Sequence, residues 1–409
     1  MSGLEDKQQR AVVVLGAVAL ALAPVAVYAR LGTIVLLVLT LIAQPCWDGT
    51  VASLRGFARS RLVFVGTLLA LWAAVTLFWS PAGRLLALPS VVIVPVMGLL
   101  LIAAVRGLSD VAAARVAKLA TVGGVLMLAL LGMEVWSKGA ILRLVVPASP
   151  EDLAFDQTAS VIEAAARGIA VLAPLTFVYA TLIAAETKLK VAGIAFVVLA
   201  FAVGASTSMD AGWGAVGAGA IAFVVARVAP RLALAGLFAG LMFYAALAPL
   251  IHSRLITLDL TTGFGTRELL GLETRIGIWQ YASSLIAEKP WFGHGFDATR
   301  ELSRVAPLIP GTKYPALPLH THNGVLQLWL ELGLVGIVLM ISFLAVALRS
   351  LWPLTKHPKY LAVTIATIAA GSVIFLVSFG VWQHWWMALW FLTAGLLVLA
   401  GRRAGFTGV

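Results

Sequence analysis

The sequence predicts an all-α integral membrane protein with about twelve transmembrane helices and one large outer loop between the ninth and tenth helices. Of its 409 residues, 61% are hydrophobic and only 11% are charged, which is far outside the range of soluble globular domains. The apolar runs are about 20 residues long, enough to cross a hydrocarbon core of about 30 Å as helices. Runs of this length favour helices over barrel strands, because a backbone in hydrocarbon must satisfy its own hydrogen bonds.

Twelve apolar runs can be drawn along the chain. The first follows Lys7 and Arg10 and has no small-residue cleavage site after it, so we expect an uncleaved first helix. The second is separated from the first by little more than Arg30. The predicted spans are 11–28, 31–46, 61–79, 87–105, 117–136, 168–185, 190–206, 211–227, 232–250, 324–348, 360–381 and 385–401.

The basic residues indicate which side of the membrane each loop faces. If the N-terminus lies in the cytoplasm, most of the 29 Lys and Arg residues fall in inner loops, and the short outer loops hold only Arg30 and Arg84. This distribution agrees with the enrichment of basic residues on the cytoplasmic side of membrane proteins. Both termini are therefore expected in the cytoplasm. The net charge of +11 reflects this topology and not a nucleic-acid-binding stripe.

Polar residues are concentrated on the outer side. Two long outer segments, 137–167 and 251–323, interrupt the spans. No internal repeat or soluble domain is evident in the sequence, so we treat 1–409 as one polytopic membrane domain in which 251–323 forms a periplasm-facing cap. Five of the six histidines fall on this side, namely His252, His294, His320, His322 and His384.

The cap contains one helical segment, and tryptophans are frequent on the outer side. Glu273 to Lys289 has apolar residues at helical spacing and is followed by Pro290, which predicts an amphipathic helix that lies on the membrane or roofs a cavity. The proline-rich stretch 307–318 predicts an irregular loop. The outer tryptophans indicate an interfacial belt, with stacking on sugars as the alternative. They are Trp291, Trp329, Trp382, Trp385 and Trp386.

The segment around His322 is the first candidate for chemistry. Imidazole can take or give a proton near neutral pH, and His322 stands at the mouth of an apolar helix that opens at Asn323. Asn323, Gln327 and Glu331 follow at helical spacing and share one face, so Glu331 must face protein or water. His322 is therefore either a general base or a residue that caps the helix at the membrane interface.

The sequence favours arginine over metal for binding an anion. Its single Cys46 cannot form an internal disulfide, and the outer loops lack a compact Asp-x-Asp pair. Guanidinium groups bind phosphate oxygens in two places and stay charged. No cofactor or metal is therefore expected. One alternative stays open, in which His320 and His322 bind zinc together with His294.

Several motifs stand in a fixed order along the chain. Arg275-x-x-x-Trp279 is followed by Pro290-Trp291-Phe292-Gly293-x-Gly295, and His322-Asn323 is followed, after nine residues, by Gly333-x-x-Gly336. These motifs resemble the arginine-tryptophan helix, the glycine turn and the histidine motif of the bacterial O-antigen ligases, members of the O-antigen ligase and polymerase superfamily. Arg167-Gly168 and Trp382-Gln383-x-Trp385-Trp386 resemble two further features, so the likeness covers most of the chain.

The chain departs from the family pattern at one turn. Between the seventh and eighth spans the family usually has a Ser-Arg-Gly-like turn, whereas this chain reads Ser206-Thr207-Ser208-Met209-Asp210-Ala211-Gly212. The arginine is absent, and Asp210 offers a carboxylate in its place.

The resemblance implies a GT-C-like glycosyltransferase of the bacterial inner membrane that acts in lipopolysaccharide biosynthesis. It would transfer O-antigen polysaccharide from undecaprenyl diphosphate to the lipid A-core at the periplasmic leaflet, and single-step attack would invert the anomeric centre. Its partners would be these two lipid-linked glycans and membrane lipids, with no nucleic acid. An O-antigen polymerase of the same superfamily and, in a different class, a polytopic transporter are the alternatives.

The resemblance and the chemistry together suggest a role for each site residue. We expect His322 to act as the general base and Arg275 to contact the departing diphosphate. Further residues are expected to bind the diphosphate or a sugar. They are Arg267, Arg300, Arg167, Trp279, Asn323, His320, His294 and Gln383.

Overall fold

The computed structural model describes residues 2–29, 31–45, 47–82, 88–145, 158–207, 210–254, 266–309 and 314–406. Within these ranges the chain is almost entirely helical, and the only β pairing is an isolated antiparallel bridge between Leu308 and Pro315. The predicted all-α fold is confirmed. The α-helices are α1 (Ser2–Tyr28), α2 (Gly32–Leu39), α3 (Trp47–Ala58), α4 (Arg61–Thr76), α5 (Leu88–Arg106), α6 (Asp110–Trp136), α7 (Leu142–Val145), α8 (Thr158–Thr187), α9 (Lys190–Ala205), α10 (Asp210–Val228), α11 (Pro230–Ser253), α12 (Thr266–Glu288), α13 (Ala298–Leu302), α14 (Gly324–Leu351), α15 (Pro358–Val377) and α16 (His384–Arg403).

Each of the twelve predicted spans falls on one of these helices, and the chain is a multi-pass membrane protein. Among the described residues, eight helices are long and apolar enough to cross a membrane. The pair α3 and α4, bent by 68° at their junction, would make a ninth span if the two helices cross as one. Three further apolar helical segments, Gly32–Ala43, Val91–Arg106 and Lys190–Ala205, are shorter. The number of twelve crossings therefore stays a prediction.

The second predicted span, 31–46, is shorter in the structure than in the prediction. Helix α2 passes into a 3-10 turn that ends at Ala43. Gln44 then leaves the helical region, with a ψ of 106°, because a proline ring disfavours helical backbone in the residue before it. That proline is Pro45. At about 1.5 Å per residue, this helical segment reaches about 18 Å, well short of a hydrocarbon core of about 30 Å.

Small residues allow the membrane helices to pack closely. Helix α1 lies along α6, and α10 lies along α15. A Cβ atom on Gly123 would stand 2.3 Å from the carbonyl oxygen of Ala19, and one on Gly219 would stand 2.9 Å from that of Ala366. Only glycine permits such a close approach of two helix backbones. These helices and α8 contribute much of the larger apolar core.

A second apolar core, built mainly from α4, α11, α12 and α14, supports the candidate site. Its buried residues include Trp279 of α12 and Leu326 and Trp329 of α14. Helix α12 contains almost all of the predicted helix but begins earlier, at Thr266, and its apolar face packs on α11 and α14. The structure therefore shows α12 packed on protein along one face, and its position on the membrane surface or over a cavity stays a prediction.

Helix α14 is interrupted at Gly333, whose backbone (φ 65°, ψ −164°) is not helical. The turn 290–295 docks against this break. Four backbone hydrogen bonds join the two segments and satisfy groups for which the interrupted helix has no partner of its own. They run from His294 N to Leu330 O (2.8 Å), from Gly295 N to Glu331 O (2.9 Å), from Leu334 N to Pro290 O (2.8 Å) and from Val335 N to Trp291 O (3.3 Å).

The segment 251–323, which the sequence predicts to be an outer loop, is described only in part. Its stretch 307–318 is not helical where the structure describes it, as predicted, although Pro310 lies outside the described residues. The segment 255–265 also lies outside them. The assignment of the whole loop as a cap over the site therefore stays a prediction.

Candidate active site

The entrance of α14 is fixed by a polar cap. Asn323 accepts hydrogen bonds at Oδ1 from the backbone amides of Val325 and Leu326, both at 3.0 Å. This is a preferred way to satisfy free amides at a helix N-terminus. Thr321 donates from Oγ1 to the carbonyl of Asn323 at 2.6 Å, and both side chains are buried. The predicted helix start at Asn323 is confirmed, and the cap holds the residue between them, His322, in place.

His322 has a defined tautomer in this loop. Its Nδ1 lies 2.9 Å from the carbonyl oxygen of Ser378, in the connection between α15 and α16. Because a carbonyl oxygen can only accept, Nδ1 carries the proton, and the lone pair of the neutral ring is on Nε2. Burial and the positive charge of Arg275 lower the pKa of His322 to about 4, although the bond to Ser378 works in the opposite direction. The ring is therefore neutral at physiological pH and can accept a proton at Nε2.

The backbone of His322 is strained. Its φ of 53° lies in the left-handed region, which costs a non-glycine residue free energy. This conformation allows the His322 amide to donate to Nδ1 of His320 at 3.2 Å, and the two rings lie 4.2 Å apart. His320 therefore has its proton on Nε2 when neutral. Burial, His322 and Arg300 lower the pKa of His320 to about 3, so both imidazoles are uncharged near neutral pH.

Arg275 approaches the histidine pair from α12. One turn further along the helix, Trp279 donates from Nε1 to the carbonyl oxygen of Thr321 at 3.1 Å, which ties α12 to the loop that carries His322. The guanidinium of Arg275 is close enough for its charge to lower the pKa of His322. The structure thus brings together the two residues that the sequence analysis placed at the centre of the site.

Arg300 approaches the pair from a second element. It belongs to the short helix α13 and forms an ion pair with Asp297, Nε to Oδ2, at 3.2 Å. Its side chain is 46% exposed, so this pair is weak and leaves the guanidinium accessible. The charge of Arg300 lowers the pKa of His320. Two arginines on different elements therefore act on the two neutral imidazoles.

The connection between α15 and α16 forms the other wall of the site. A Cβ atom on Gly380 would stand 3.0 Å from Cβ of His320 and 3.1 Å from Oε1 of Gln327, so this backbone lies directly against the histidine loop. Ser378 Oγ and Gln383 Oε1 are buried and have no hydrogen-bond partner among the described residues. A buried polar atom without a partner is unfavourable unless something else binds it. The position of Gln383 in this wall agrees with its predicted contact to substrate, which no observation tests directly.

Glu331 lies on the third turn of α14 and is fully buried. Its carboxylate accepts hydrogen bonds only. Gln327 Nε2 donates at 3.1 Å, and further donors come from the turn before α13 and from the α15–α16 connection. The complete set also includes the backbone amides of Asp297 (3.0 Å) and Thr299 (3.4 Å), Thr299 Oγ1 and Trp382 Nε1.

His294 supports the turn that docks on α14. Its buried ring lies with Nε2 2.9 Å from the carbonyl oxygen of Leu285, which joins the turn to α12. This contact gives His294 a structural role, and its contact with substrate stays a prediction. No group of three or more His, Cys, Asp or Glu side chains in the described ranges is arranged to hold a metal ion. The zinc alternative, with His294, His320 and His322 as ligands, therefore finds no support in the geometry.

The structure gives little information about the surroundings of Arg167, Arg267 and Asp210. Arg167 is a half-buried residue of α8. Arg267 belongs to the first turn of α12 and Asp210 begins α10, but the side chains of both lie outside the described residues. The substrate contacts of Arg167 and Arg267 stay predictions, and no role was predicted for Asp210.

The tryptophan prediction was wrong for most of its residues. Trp329 is buried and donates from Nε1 to the carbonyl oxygen of Ala245, while Trp382 binds Glu331. Trp385 and Trp386 are also buried. These side chains have the size and the polar N–H that suit a membrane interface, but the same features suit the interior when an acceptor is close. Of the five, Trp291 alone is clearly exposed, at 65%.

Trp291 lines a cleft at the C-terminal end of α4. The cleft has a volume of about 570 Å³, and its walls include Trp72, Trp79 and Phe292. Trp72 Nε1 donates to the carbonyl oxygen of Leu332 and Trp79 Nε1 to that of Gly293, at 2.9 and 3.2 Å. The two indoles therefore use their polar atoms inside the protein and present mainly hydrocarbon to the cleft.

Sequence reasoning missed a polar chain behind Asn323. Asn323 donates from Nδ2 to the hydroxyl of Tyr244, and that hydroxyl is hydrogen-bonded to Nε2 of His252 at 2.7 Å. The ring of His252 lies 4.7 Å from that of Trp279. Tyr244 and His252 are eight residues apart and share a face of α11. That spacing was visible in the sequence, but nothing there linked it to Asn323.

Comparison with known proteins identifies relatives of this chain. Residues 194–341 match the family model described as O-Antigen ligase. Similar proteins named “Putative polysaccharide ligase” come from Rickettsia bellii, 28% identical over 235 residues, and from Rickettsia felis, 25% identical over 231 residues. Each match covers 55% of this chain and 56% of the relative, so the chain spans little more than half the length of these relatives. The region matched by the family model contains Arg275, Trp279, His322 and Glu331, whereas Arg167 and Gln383 lie outside it.

Proposed function

We propose that this chain, which matches the O-antigen ligase family model over residues 194–341, is a member of that superfamily and a glycosyltransferase of lipopolysaccharide biosynthesis. Its donor is O-antigen polysaccharide linked to undecaprenyl diphosphate, and its acceptor is a sugar hydroxyl of the lipid A-core. The reaction takes place at the periplasmic face of the inner membrane, and both termini lie in the cytoplasm. The distribution of basic residues supports this orientation.

One observation carries the proposal. The neutral imidazole of His322 is held at Nδ1 by the carbonyl of Ser378, which leaves Nε2 as a proton acceptor, and the positive charge of Arg275 acts on the same ring. A general base and a cation within one site suit a reaction in which a hydroxyl attacks and an anion departs.

The proposed reaction is a single displacement. The acceptor hydroxyl oxygen forms a bond to the anomeric carbon of the donor while the bond from that carbon to the diphosphate oxygen breaks. The departing diphosphate keeps the bonding electron pair, and His322 Nε2 takes the proton of the hydroxyl. Attack from the side opposite the leaving group inverts the anomeric centre.

Arginine side chains neutralise the diphosphate in this proposal. Arg275 makes the main contact, because its planar fork can bind two phosphate oxygens and stays charged. The exposed guanidinium of Arg300 makes a second contact from α13. Arg267 and Arg167 are further candidates. With these cations the reaction needs no metal ion or cofactor.

The proposal is tested with purified protein, the lipid-linked O-antigen and lipid A-core. His322→Ala and Arg275→Ala should each reduce transfer by at least about 100-fold, since each removes a group that acts in the transition state. His357→Ala on the inner side and Arg304→Ala on the outer loop are matched controls that should retain transfer. Activity that survives His322→Ala would remove the base assignment.

Two further conditions separate the alternatives. If the donor chain lengthens when lipid A-core is omitted, the protein is a polymerase and not a ligase. Transfer should continue after exhaustive chelation, whereas a loss that a divalent ion restores would replace the arginine mechanism with a metal-dependent one.

A further inference from the structure

A buried carboxylate must replace the hydration that it loses. Among the described residues, hydrogen-bond donors do this for Glu331. Taking an ionised carboxylate out of water is costly unless its oxygens are well bonded. Oε1 accepts from Gln327 Nε2, Thr299 N and Thr299 Oγ1, whereas Oε2 accepts from Asp297 N and Trp382 Nε1. Each oxygen thus has at least two donors. This shell suits a carboxylate and does not suit the uncharged amide of a glutamine, which would bring donors of its own.

The donors belong to two segments that are far apart in the sequence. Asp297 and Thr299 form the start of α13, the helix that carries Arg300. Trp382 belongs to the connection between α15 and α16, and its neighbour Val381 donates from its backbone amide to Gln327 Oε1 at 3.0 Å. Glu331 and Gln327 therefore hold both segments against the buried first part of α14.

Each of these segments also reaches the histidine pair. The α15–α16 connection begins at Ser378, whose carbonyl sets the tautomer of His322. The start of α13 leads to Arg300, whose charge lowers the pKa of His320. Glu331 itself lies more than two helical turns from the helix entrance, at about 12 Å along the axis from Asn323 at about 1.5 Å per residue.

We infer that Glu331 is a positioning residue for the reaction proposed above: it is the shared acceptor that fixes the Ser378 carbonyl and the Arg300 helix around His322. The catalytic part of this inference rests on the proposed function, whereas the positioning part rests on the hydrogen bonds alone. Glu331 does not touch the reacting atoms, so it acts through His322 and Arg300.

Glu331→Gln is the discriminating substitution, because it keeps the shape and removes one acceptor oxygen. In either orientation the amide nitrogen faces donors, which pushes apart the segments that the carboxylate joins. We expect transfer to fall by about 100-fold, the size of effect expected for a displacement of about 1 Å in a catalytic group. The matched control is Glu134→Gln, since Glu134 is also a buried carboxylate of a membrane helix, bonded to Tyr28 OH and Leu142 N. It should change stability and leave transfer nearly unchanged.

A fall in transfer could come from a displaced His322 or from a loss of folded protein, and the pKa of His322 distinguishes the two. With histidines labelled for NMR, His322 should titrate near pH 4 in the parent protein and at a higher pH in Glu331→Gln. The reason is that a loosened wall admits water and reduces the effect of burial, the largest cause of the lowered pKa. Weakening of the bond to the Ser378 carbonyl acts in the opposite direction, but burial is the larger effect, and the charge of Arg275 is unchanged in this variant.

The titration also distinguishes a failure of this inference from a failure of the proposed function. If no transfer is detected in the parent protein but the His322 titration shifts in Glu331→Gln, the function is wrong and the positioning stands. If Glu331→Gln does not fold, Thr299→Val removes one donor with almost no change of shape and should shift the titration in the same direction by less. A titration identical to that of the parent protein in the folded variant overturns the inference.

Discussion

The backbones of Gly293 and Gly333 are in direct contact. A Cβ atom on Gly293 would stand 2.7 Å from the amide nitrogen of Gly333, and one on Gly333 would stand 2.6 Å from that of Gly293. Both residues have a positive φ, at 70° and 65°. The two glycines thus let the turn 290–295 enter the interruption in α14.

The first prediction concerns this contact. Gly333→Ala should destabilise the protein by at least about 2 kcal/mol, because its φ and ψ belong to a region that only glycine adopts readily and its Cβ would overlap Trp291. Thermal unfolding in detergent, followed by tryptophan fluorescence, measures the loss. Gly240→Ala on α11, where a Cβ atom meets nothing within 4 Å, is the control and should be neutral or slightly stabilising. Equal effects at the two positions would contradict the prediction.

The second prediction concerns the stability of the protein as a function of pH. The pKa values of His320 and His322 are lowered in the folded protein to about 3 and about 4, below about 6.5 for an unperturbed histidine. Between these limits the unfolded chain binds more protons than the folded one, so the free energy of unfolding falls as pH decreases from about 6.5 towards 4. His320→Asn should make this fall less steep. Unfolding measured at several pH values tests the slope, and an unchanged slope would count against the buried neutral pair.

The third prediction links the donor to the base. Because the charge of Arg275 lowers the pKa of His322, an anion that pairs with Arg275 should raise it. Adding undecaprenyl diphosphate should therefore move the NMR titration of His322 to higher pH and make it a stronger base when the donor is bound. Arg275→Ala should raise the same pKa without ligand and abolish the further shift on adding the lipid. If the pKa of His322 is unchanged in both experiments, the charge of Arg275 does not act on His322 and the prediction is wrong.

The fourth prediction concerns the attachment of α12 to the histidine loop. Trp279→Phe keeps an aromatic ring against His252 but loses the hydrogen bond to the carbonyl of Thr321. Trp329→Phe is the control, because it loses a similar hydrogen bond, to the carbonyl of Ala245, at a position on α14 that is further from His322. Both should destabilise the protein by about 1–3 kcal/mol, the usual result of leaving a buried carbonyl without its donor. Transfer measured per folded molecule should fall more in Trp279→Phe, and an equal fall in both variants would contradict a specific role.

Local patterns predicted the elements of this protein well. Long apolar runs marked the membrane helices, Pro290 marked the end of α12, and Asn323 marked the start of α14, because each depends on residues close together in the sequence. The expected meeting of Arg275 and His322 came from the family resemblance and not from periodicity.

The remaining features depend on contacts between distant segments. The break at Gly333 exists because the turn 290–295 supplies its hydrogen bonds, and an apolar run with a glycine in it has the same appearance when unbroken. Apart from Gln327, the hydrogen-bond partners of Glu331 come from residues 32 to 51 positions away. The interfacial assignment of the tryptophans failed because their acceptors are also distant in the sequence. Composition alone does not reveal whether an indole N–H will find an acceptor inside the protein.

The four hydrogen bonds that join the turn 290–295 to α14 all use main-chain atoms, so the exposed side chains of the turn are not needed for them. Trp291 and Phe292 are 65% and 57% exposed beside the hydrocarbon-lined cleft. A spectroscopic label could therefore be attached at either position while the glycines keep the docking intact. Since Cys46 is the single cysteine of the chain, one replacement there would provide a background in which such a reporter is unique.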